Sequence, residues 1–163
     1  MKKATQPIPE GFHTITPSLT VRNAAEAIEF YKRALGAEER MRSMASPDGK
    51  ITHAELKIGD SIIFLNDEIP AWGTKSPQSL GGTHGGFYLY VEDVDKAFQR
   101  AIDAGGKVTC PVTDMFWGDR MGNFTDPYGY AWTLSTHTQD MTEQEMEEGA
   151  KQFHAQMAQK KSA

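Results

Sequence analysis

The chain has 163 residues and a formal net charge of −5, with 39% hydrophobic and 24% charged residues and a single cysteine. That length suits one domain able to bury a core without disulfides, and the acidic balance, with no Lys/Arg cluster between the termini, excludes a nucleic-acid or anionic-membrane footprint. No apolar run approaches the roughly 20 residues needed to span a bilayer, no apolar segment follows the basic Met1-Lys2-Lys3 start, and a cytoplasmic protein is expected.

In chain order, His13 to Val21 alternates apolar residues with Thr and Ser and predicts a first strand. Asn23 with Glu26 predicts a capped helix that carries Ala27, Ile28, Tyr31 and Leu35 on one stripe and stops at Gly36. Strands are expected over Glu39 to Met44, Ile51 to Ile58 and Ser61 to Asn66, the last two joined by a two-residue turn at Gly59-Asp60. The Pro-, Gly- and Ser-rich stretch 67–85 reads as a connection.

The pattern Val21-Arg22-Asn23 then returns 70 positions later as Val91-Glu92-Asp93, again between a strand-like run, Phe87 to Val91, and a helix. That second helix carries Val94, Ala97, Phe98, Ala101 and Ile102 on one stripe and ends at Gly105-Gly106. A strand near Lys107 to Val112 and a hairpin through Asp126-Pro127-Tyr128-Gly129 complete it. The chain therefore reads as one domain over 1–163, holding a first strand-helix-strands module at 11–66 and a second at 86–137. Two copies of one unit bury their apolar faces only by packing together, which places a ligand site near their junction. Thr142 with Glu145 opens a further helix over 141–160, whose stripe of Met146, Ala150, Phe153 and Met157 calls for docking on the body or on a second subunit.

Alternation sorts the strands into two faces. Ile15, Leu19, Ala54, Leu56, Ile58, Ile63, Leu65, Phe87, Leu89, Val91, Trp132 and Leu134 lie on the face to be covered by helices. The other face carries Thr14, Thr16, Ser18, His53, Glu55, Lys57, Phe64, Asn66, Tyr88, Tyr90, Thr133, Ser135 and His137. A two-residue turn sets Glu55 opposite Phe64 and His53 opposite Asn66. This patch is either a small-molecule cleft with Glu55 as an acid/base group and His53 as its polarising catalytic partner, or an ordinary solvated sheet face. Trp117 and Arg120 admit two readings as well: an indole and a guanidinium that hold a ligand, or a core-filling ring and a loop tether. Cys110 has no neighbouring base and reads as an inert, buried thiol.

The stretches Ala27-Ile-Glu-Phe-Tyr31, His53-Ala-Glu-Leu-Lys-Ile-Gly-Asp-Ser61, Phe116-Trp-Gly-Asp-Arg120 and Asp126-Pro-Tyr-Gly-Tyr130, in that order, resemble the vicinal-oxygen-chelate superfamily, most closely the PhnB-like branch of the glyoxalase/bleomycin-resistance/dioxygenase proteins. The resemblance spans about Gly11 to His137. It implies an α+β fold of two βαβββ modules forming a cup-shaped mixed sheet with helices outside, usually in a homodimer. Metal-dependent members place four His or Glu ligands at positions that correspond here to Thr16, Phe64, Gly86 and Thr133, none of which is a normal ligand. Many PhnB-like relatives also carry His where this chain has Tyr130. No cofactor is expected, although a displaced divalent metal site near His53, Glu55, His84 and His137 is conceivable. His13 and His154 read as surface residues. The expected site has His53 and Glu55 as catalytic groups and Phe64, Asn66, Tyr88, Tyr90, Trp117, Arg120 and Thr133 around a ligand. The expected activity is metal-independent binding of a small organic molecule, as in drug-binding relatives. The alternative is a lyase, isomerase or dioxygenase-type enzyme in which Glu55 abstracts a proton. Nothing in the cleft supports phosphonate chemistry, since no phosphate-cradling loop or Lys/Arg cluster faces it.

Overall fold

In a computed structural model, residues 6–43 and 48–161 are described, the last two by backbone alone. One unit, strand-helix-strand-strand-strand, is built twice. The first comprises β1 (Ser18–Val21), α1 (Ala24–Leu35), β2 (Glu38–Ser43), β3 (His53–Ile58) and β4 (Ser61–Asp67). The second comprises β5 (Gly86–Tyr90), α3 (Val94–Asp103), β6 (Lys107–Asp114), β7 (Asp119–Thr125) and β8 (Ala131–His137). Between them lie a 3-10 turn, Pro70–Trp72, and the short helix α2, Pro77–Leu80, and the chain ends in α4, Glu143–Lys161. The strand orders are β1-β4-β3-β2 and β5-β8-β7-β6, and in each sheet the first strand runs parallel to the last.

The same local chemistry starts both helices. Asn23 accepts a hydrogen bond from the Glu26 amide, and Asp93 from the Lys96 amide, so each caps its helix with a side-chain oxygen. The first amide of each helix is held by the last strand of its own module. Ala24 N donates to Asp67 Oδ1 at 2.8 Å, and Val94 N donates to Thr136 Oγ1 at 2.9 Å. α1 stops where Gly36 turns left-handed, at φ 67°, a conformation that costs glycine little.

α1 packs on α3, and both helices share one core with the inner faces of the two sheets. Leu19, Ala27, Ile28, Tyr31, Leu56 and Leu65 from the first module meet Ala97, Phe98, Phe124, Trp132 and Leu134 from the second. Each large apolar side chain buried there contributes about 1.5–3 kcal/mol, which makes the two modules one cooperative body. The helix-covered face is the one alternation predicts, with one correction. Ile15 is 83% exposed, because the first strand begins only at Ser18, not at His13. Pairing with β4 starts where Phe64 N donates to the Pro17 carbonyl, and Pro17 has no amide with which to extend the ladder backwards.

The hairpin register is as expected, with Ile58 opposite Ser61 and Glu55 opposite Phe64. β3 starts at His53, two residues later than expected, because the Ile51 amide turns to Asp67 Oδ2 instead of the sheet. The expected end of the preceding strand at Met44 lies outside the described residues. Cys110 is only half-buried, on the irregular strand β6, with its sulfur 3.6 Å from the Pro111 carbonyl.

α4 opens on a reciprocal capping box: Thr142 N and Oγ1 both donate to Glu145 Oε2, and Glu145 N donates to Thr142 Oγ1. It meets the body at Phe116, against which Gly149 lies closely and the Phe153 ring stacks with centroids 5.8 Å apart. From Lys151 to Gln159 every residue is exposed.

Candidate functional site

The outward faces of the two sheets carry two separate clusters, and the expected site residues divide between them. On the first sheet, the Glu55 carboxylate sits between His53, with Nε2 3.6 Å from Oε1, and Arg40, with Nη1 3.8 Å from Oε2. Arg40 reaches this position from the bulge between Glu39 and Met41 and lies over the Phe12 ring at 5.5 Å. The Phe64 ring is flanked by His53 at 4.7 Å and Phe12 at 5.8 Å. Asn66 donates to Thr20 Oγ1 and to the Asp67 carbonyl, and so ties β4 to β1. His53, Glu55 and Phe64 are therefore brought together, and Asn66 serves the strand edge beside them.

The second sheet carries the denser cluster. Its centre is Asp119, a carboxylate only 3% exposed at the start of β7. Its Oδ2 accepts hydrogen bonds from Tyr88 Oη at 3.0 Å, Tyr90 Oη at 3.1 Å and Ser135 Oγ at 3.2 Å, while Oδ1 lies 2.8 Å from His137 Nδ1. Burial pushes the Asp119 carboxyl up, but these donors outweigh burial and hold it below the usual Asp range. The bond to Asp119, with burial adding to it, raises the Tyr90 phenol. His137 is raised by its bonds to Asp140 and Asp119, its Nε2 lying 3.0 Å from Asp140 Oδ1.

Strand register explains the convergence. Asp119 lies opposite His137 and Met121 opposite Ser135, while Ser135 and Thr133 are the parallel partners of Tyr90 and Tyr88. One face of three strands thus presents Asp119, Ser135, His137, Tyr88, Tyr90 and Thr133. Two large aromatic rings on it stay open to solvent, Tyr88 at 48% and Tyr90 at 62%, with centroids 5.1 Å apart. On the same row as Thr133 and Tyr88 lies Asn123, whose Oδ1 is buried without a hydrogen-bond partner among the described residues.

Arg120 does not join this wall. It follows Asp119 by one residue and so points to the opposite, helix-covered side, where it is opposite Thr136 and forks onto Asp95 of α3 at 2.8 Å through both Nε and Nη2, with Asp114 at 3.1 Å. Trp117 packs edge-on against Phe116, centroids 4.9 Å apart, in the loop before β7. Asp119 and Asn123 were absent from the expected site, and Ser135 was placed on its face without a role. Asp119 adjoins Arg120 in the sequence, and the strand parity of β7 is the signal that separates them.

Thr16, Phe64, Gly86 and Thr133, the positions that the sequence resemblance assigns to metal ligands, offer no imidazole or carboxylate. Among the described residues no group of three or more His, Cys, Asp or Glu is arranged to hold a metal ion. His53 and Glu55 make a pair only, His84 lies exposed in the connection, and the imidazole of His137 bonds one carboxylate through each ring nitrogen. The residues present do not fit the usual metal.

Comparison with known proteins agrees with this architecture. Residues 11–134 match the family model described as "Glyoxalase/Bleomycin resistance protein/Dioxygenase superfamily". Rv0887c of Mycobacterium tuberculosis (strain ATCC 25618 / H37Rv) is 43% identical over 136 residues, covering 82% of this chain and 79% of that protein. The crystal structure of PA1353 from Pseudomonas aeruginosa superposes with a TM-score of 0.60 at 29% identity, covering 78% of this chain and 99% of that one. The PhnB protein from Bacillus cereus shares the fold, with a TM-score of 0.59 at 21% identity over 76% of this chain and 99% of that one.

Proposed function

The chain belongs to the glyoxalase/bleomycin-resistance/dioxygenase superfamily, and from that premise we propose that it binds a small organic molecule on the open face of its second sheet, without a metal at the usual positions. The observation that carries this reading is the pair Tyr88 and Tyr90. Two exposed aromatic rings, side by side, are fixed by one buried carboxylate that both hydroxyls reach. Exposed rings ordinarily move freely, whereas here the strand positions and Asp119 hold them as a rigid apolar surface with polar groups at its edge, the make-up of a ligand wall. His53, Glu55 and Phe64 supply a similar surface on the first sheet. We propose too that the protein works as a cytoplasmic homodimer. No helix among the described residues is long and apolar enough to cross a membrane.

The test is a panel of small aromatic and heterocyclic compounds, uncharged ones included, screened by thermal shift against the wild type and a Tyr88→Ala/Tyr90→Ala variant of unchanged circular dichroism. Compounds that stabilise the first and not the second support the reading. Stabilisation that survives the double substitution, or none across the panel, overturns it.

A second reading rests on Glu55, which lies beside His53 with its side chain 16% exposed. There the carboxylate is a general base that takes a proton α to a carbonyl. Glu55→Gln then cuts turnover by roughly 10²–10⁴-fold, whereas a binder keeps its ligand affinity within a small factor.

A further inference from the structure

We infer that the second-sheet wall selects a ligand that is both positively charged and a hydrogen-bond donor, an arylalkylammonium being the simplest case. This rests on the binding reading above and follows from a proton count. An ionised carboxylate only accepts, so each bond from Tyr88 and Tyr90 to Asp119 Oδ2 uses the single proton of that phenol. What the two hydroxyls can still offer a ligand is lone pairs. Ser135 Oγ spends its proton on the same oxygen.

Further acceptors lie around them. A shallow, open depression at the rim is lined by Tyr90, Val91, Glu92, Thr136 and His137, and Asp140 stands beyond the imidazole. In charge, Asp119, Asp140 and Glu92 outnumber His137, and the nearby Lys96 is already paired with Asp93 at 2.8 Å. The ring faces of Tyr88 and Tyr90 add the negative centre of their quadrupoles, which attracts a cation lying within about 6 Å of the centroid. A carboxylate or phosphate ligand would meet mostly acceptors and a net negative charge here, the Thr133 hydroxyl and the His137 imidazole, already held by Asp119 and Asp140, being the exceptions, and a neutral alcohol would gain hydrogen bonds without the charge term.

The experiment uses the full chain at pH 7 and three probes of matched shape, 2-phenylethylamine, 2-phenylethanol and 3-phenylpropionate, titrated by calorimetry and by amide chemical shifts. The amine is expected to bind about tenfold or more tightly than the alcohol, equivalent to about 1.4 kcal/mol, with the carboxylate weakest and the largest shifts on Tyr88, Tyr90 and Ser135. Tyr90→Phe keeps the ring and removes the phenol oxygen. It is expected to weaken the amine several-fold while leaving the alcohol closer to its wild-type affinity; since it removes one of four partners of the buried Asp119, it perturbs the fold less than Asp119→Asn, and unchanged circular dichroism at the titration temperature is checked first. Equal affinities, a preference for the carboxylate, or no saturable binding of the amine overturn the assignment. The uncharged compounds of the Tyr88→Ala/Tyr90→Ala screen decide the binding reading separately.

Discussion

The phenol of Tyr31, on α1, donates a 2.7 Å hydrogen bond to Oδ2 of Asp126, in the turn between β7 and β8. The same carboxylate accepts from Trp132 Nε1 at 2.9 Å and, through Oδ1, from the amides of Tyr128 and Tyr130. A residue of the first module is thereby fastened to the last hairpin of the second, in a site where Asp126 is 4% exposed and its carboxyl is raised, burial outweighing its donors. Tyr31→Phe removes one bond to a buried carboxylate and is expected to lower unfolding free energy by about 1.5–3 kcal/mol. Asp126→Ala strands an indole, a phenol and two amides, and is expected to cost more than Tyr31→Phe does. Urea unfolding checks both, and a loss for Tyr31→Phe below about 0.5 kcal/mol would show that the link between modules is incidental.

The His137–Asp119 pair makes stability depend on pH in a defined sense. His137 is raised above its usual 6.5, so the stability it contributes is complete below that value and is lost as pH rises through its folded pKa. Asp119 is lowered below 3.8, so its contribution is complete above that value and is lost as pH falls through its folded pKa. The pair therefore supports the fold most strongly between about 3.8 and 6.5. The difference in melting temperature between the wild type and His137→Gln is expected to be largest in that window and to shrink as the solution becomes alkaline. A difference that stays constant from pH 5 to pH 9 would mean that the imidazole does not bridge its two carboxylates in solution.

Gly118 and Gly59 both have positive φ, at 92° and 59°, yet alanine should affect them unequally. The Gly118 carbonyl accepts from Thr138 N, Gln139 N and Thr138 Oγ1, which pulls the chain after β8 across the glycine. A Cβ there would run into the Gln139 backbone, whereas one on Gly59 meets nothing within 4 Å. Gly59→Ala is expected to cost about 1 kcal/mol of left-handed strain. Gly118→Ala adds a backbone clash and is expected to cost about 3 kcal/mol or more, because either the turn or the lead into α4 must move. Comparable urea midpoints for the two variants would refute this ordering.

Local chemistry made much of the fold legible. The repeated Asn23 and Asp93 announce two capped helices, and both side chains do cap them. The Gly59-Asp60 turn fixes a register that alternation alone leaves open, and it brings Glu55 opposite Phe64 as read. Ile15 was misread because period-two alternation continues through Pro17, where the ladder cannot. The second-sheet cluster was hidden for a different reason. Asp119 gains its meaning from Tyr88, Tyr90 and His137, which lie 31, 29 and 18 residues away and reach it only when β5, β8 and β7 are set side by side. Within β7 the parity depends on where the strand begins after the Phe-Trp-Gly loop, and a shift of one residue exchanges Asp119 for Arg120.

That exchange gives the last prediction. Were Arg120 a ligand-gripping guanidinium, Arg120→Ala would lower affinity strongly. The structure instead ties it to Asp95 and Asp114 on the helix side, and all three side chains are substantially open to solvent. Ion pairs of this kind contribute at most about 1 kcal/mol, since water screens the charges and ordering long side chains costs entropy. Arg120→Ala is therefore expected to reduce stability by no more than that amount and to leave ligand affinity within about twofold, a change of roughly 0.4 kcal/mol. Tyr90→Ala, on the opposite face of the same sheet, is expected to remove binding, and it also costs stability because it takes one bond from the buried Asp119. Calorimetric titration of both variants with one compound found in the thermal-shift panel separates the faces, and a large affinity loss in Arg120→Ala alone would place the ligand on the helix side of the sheet.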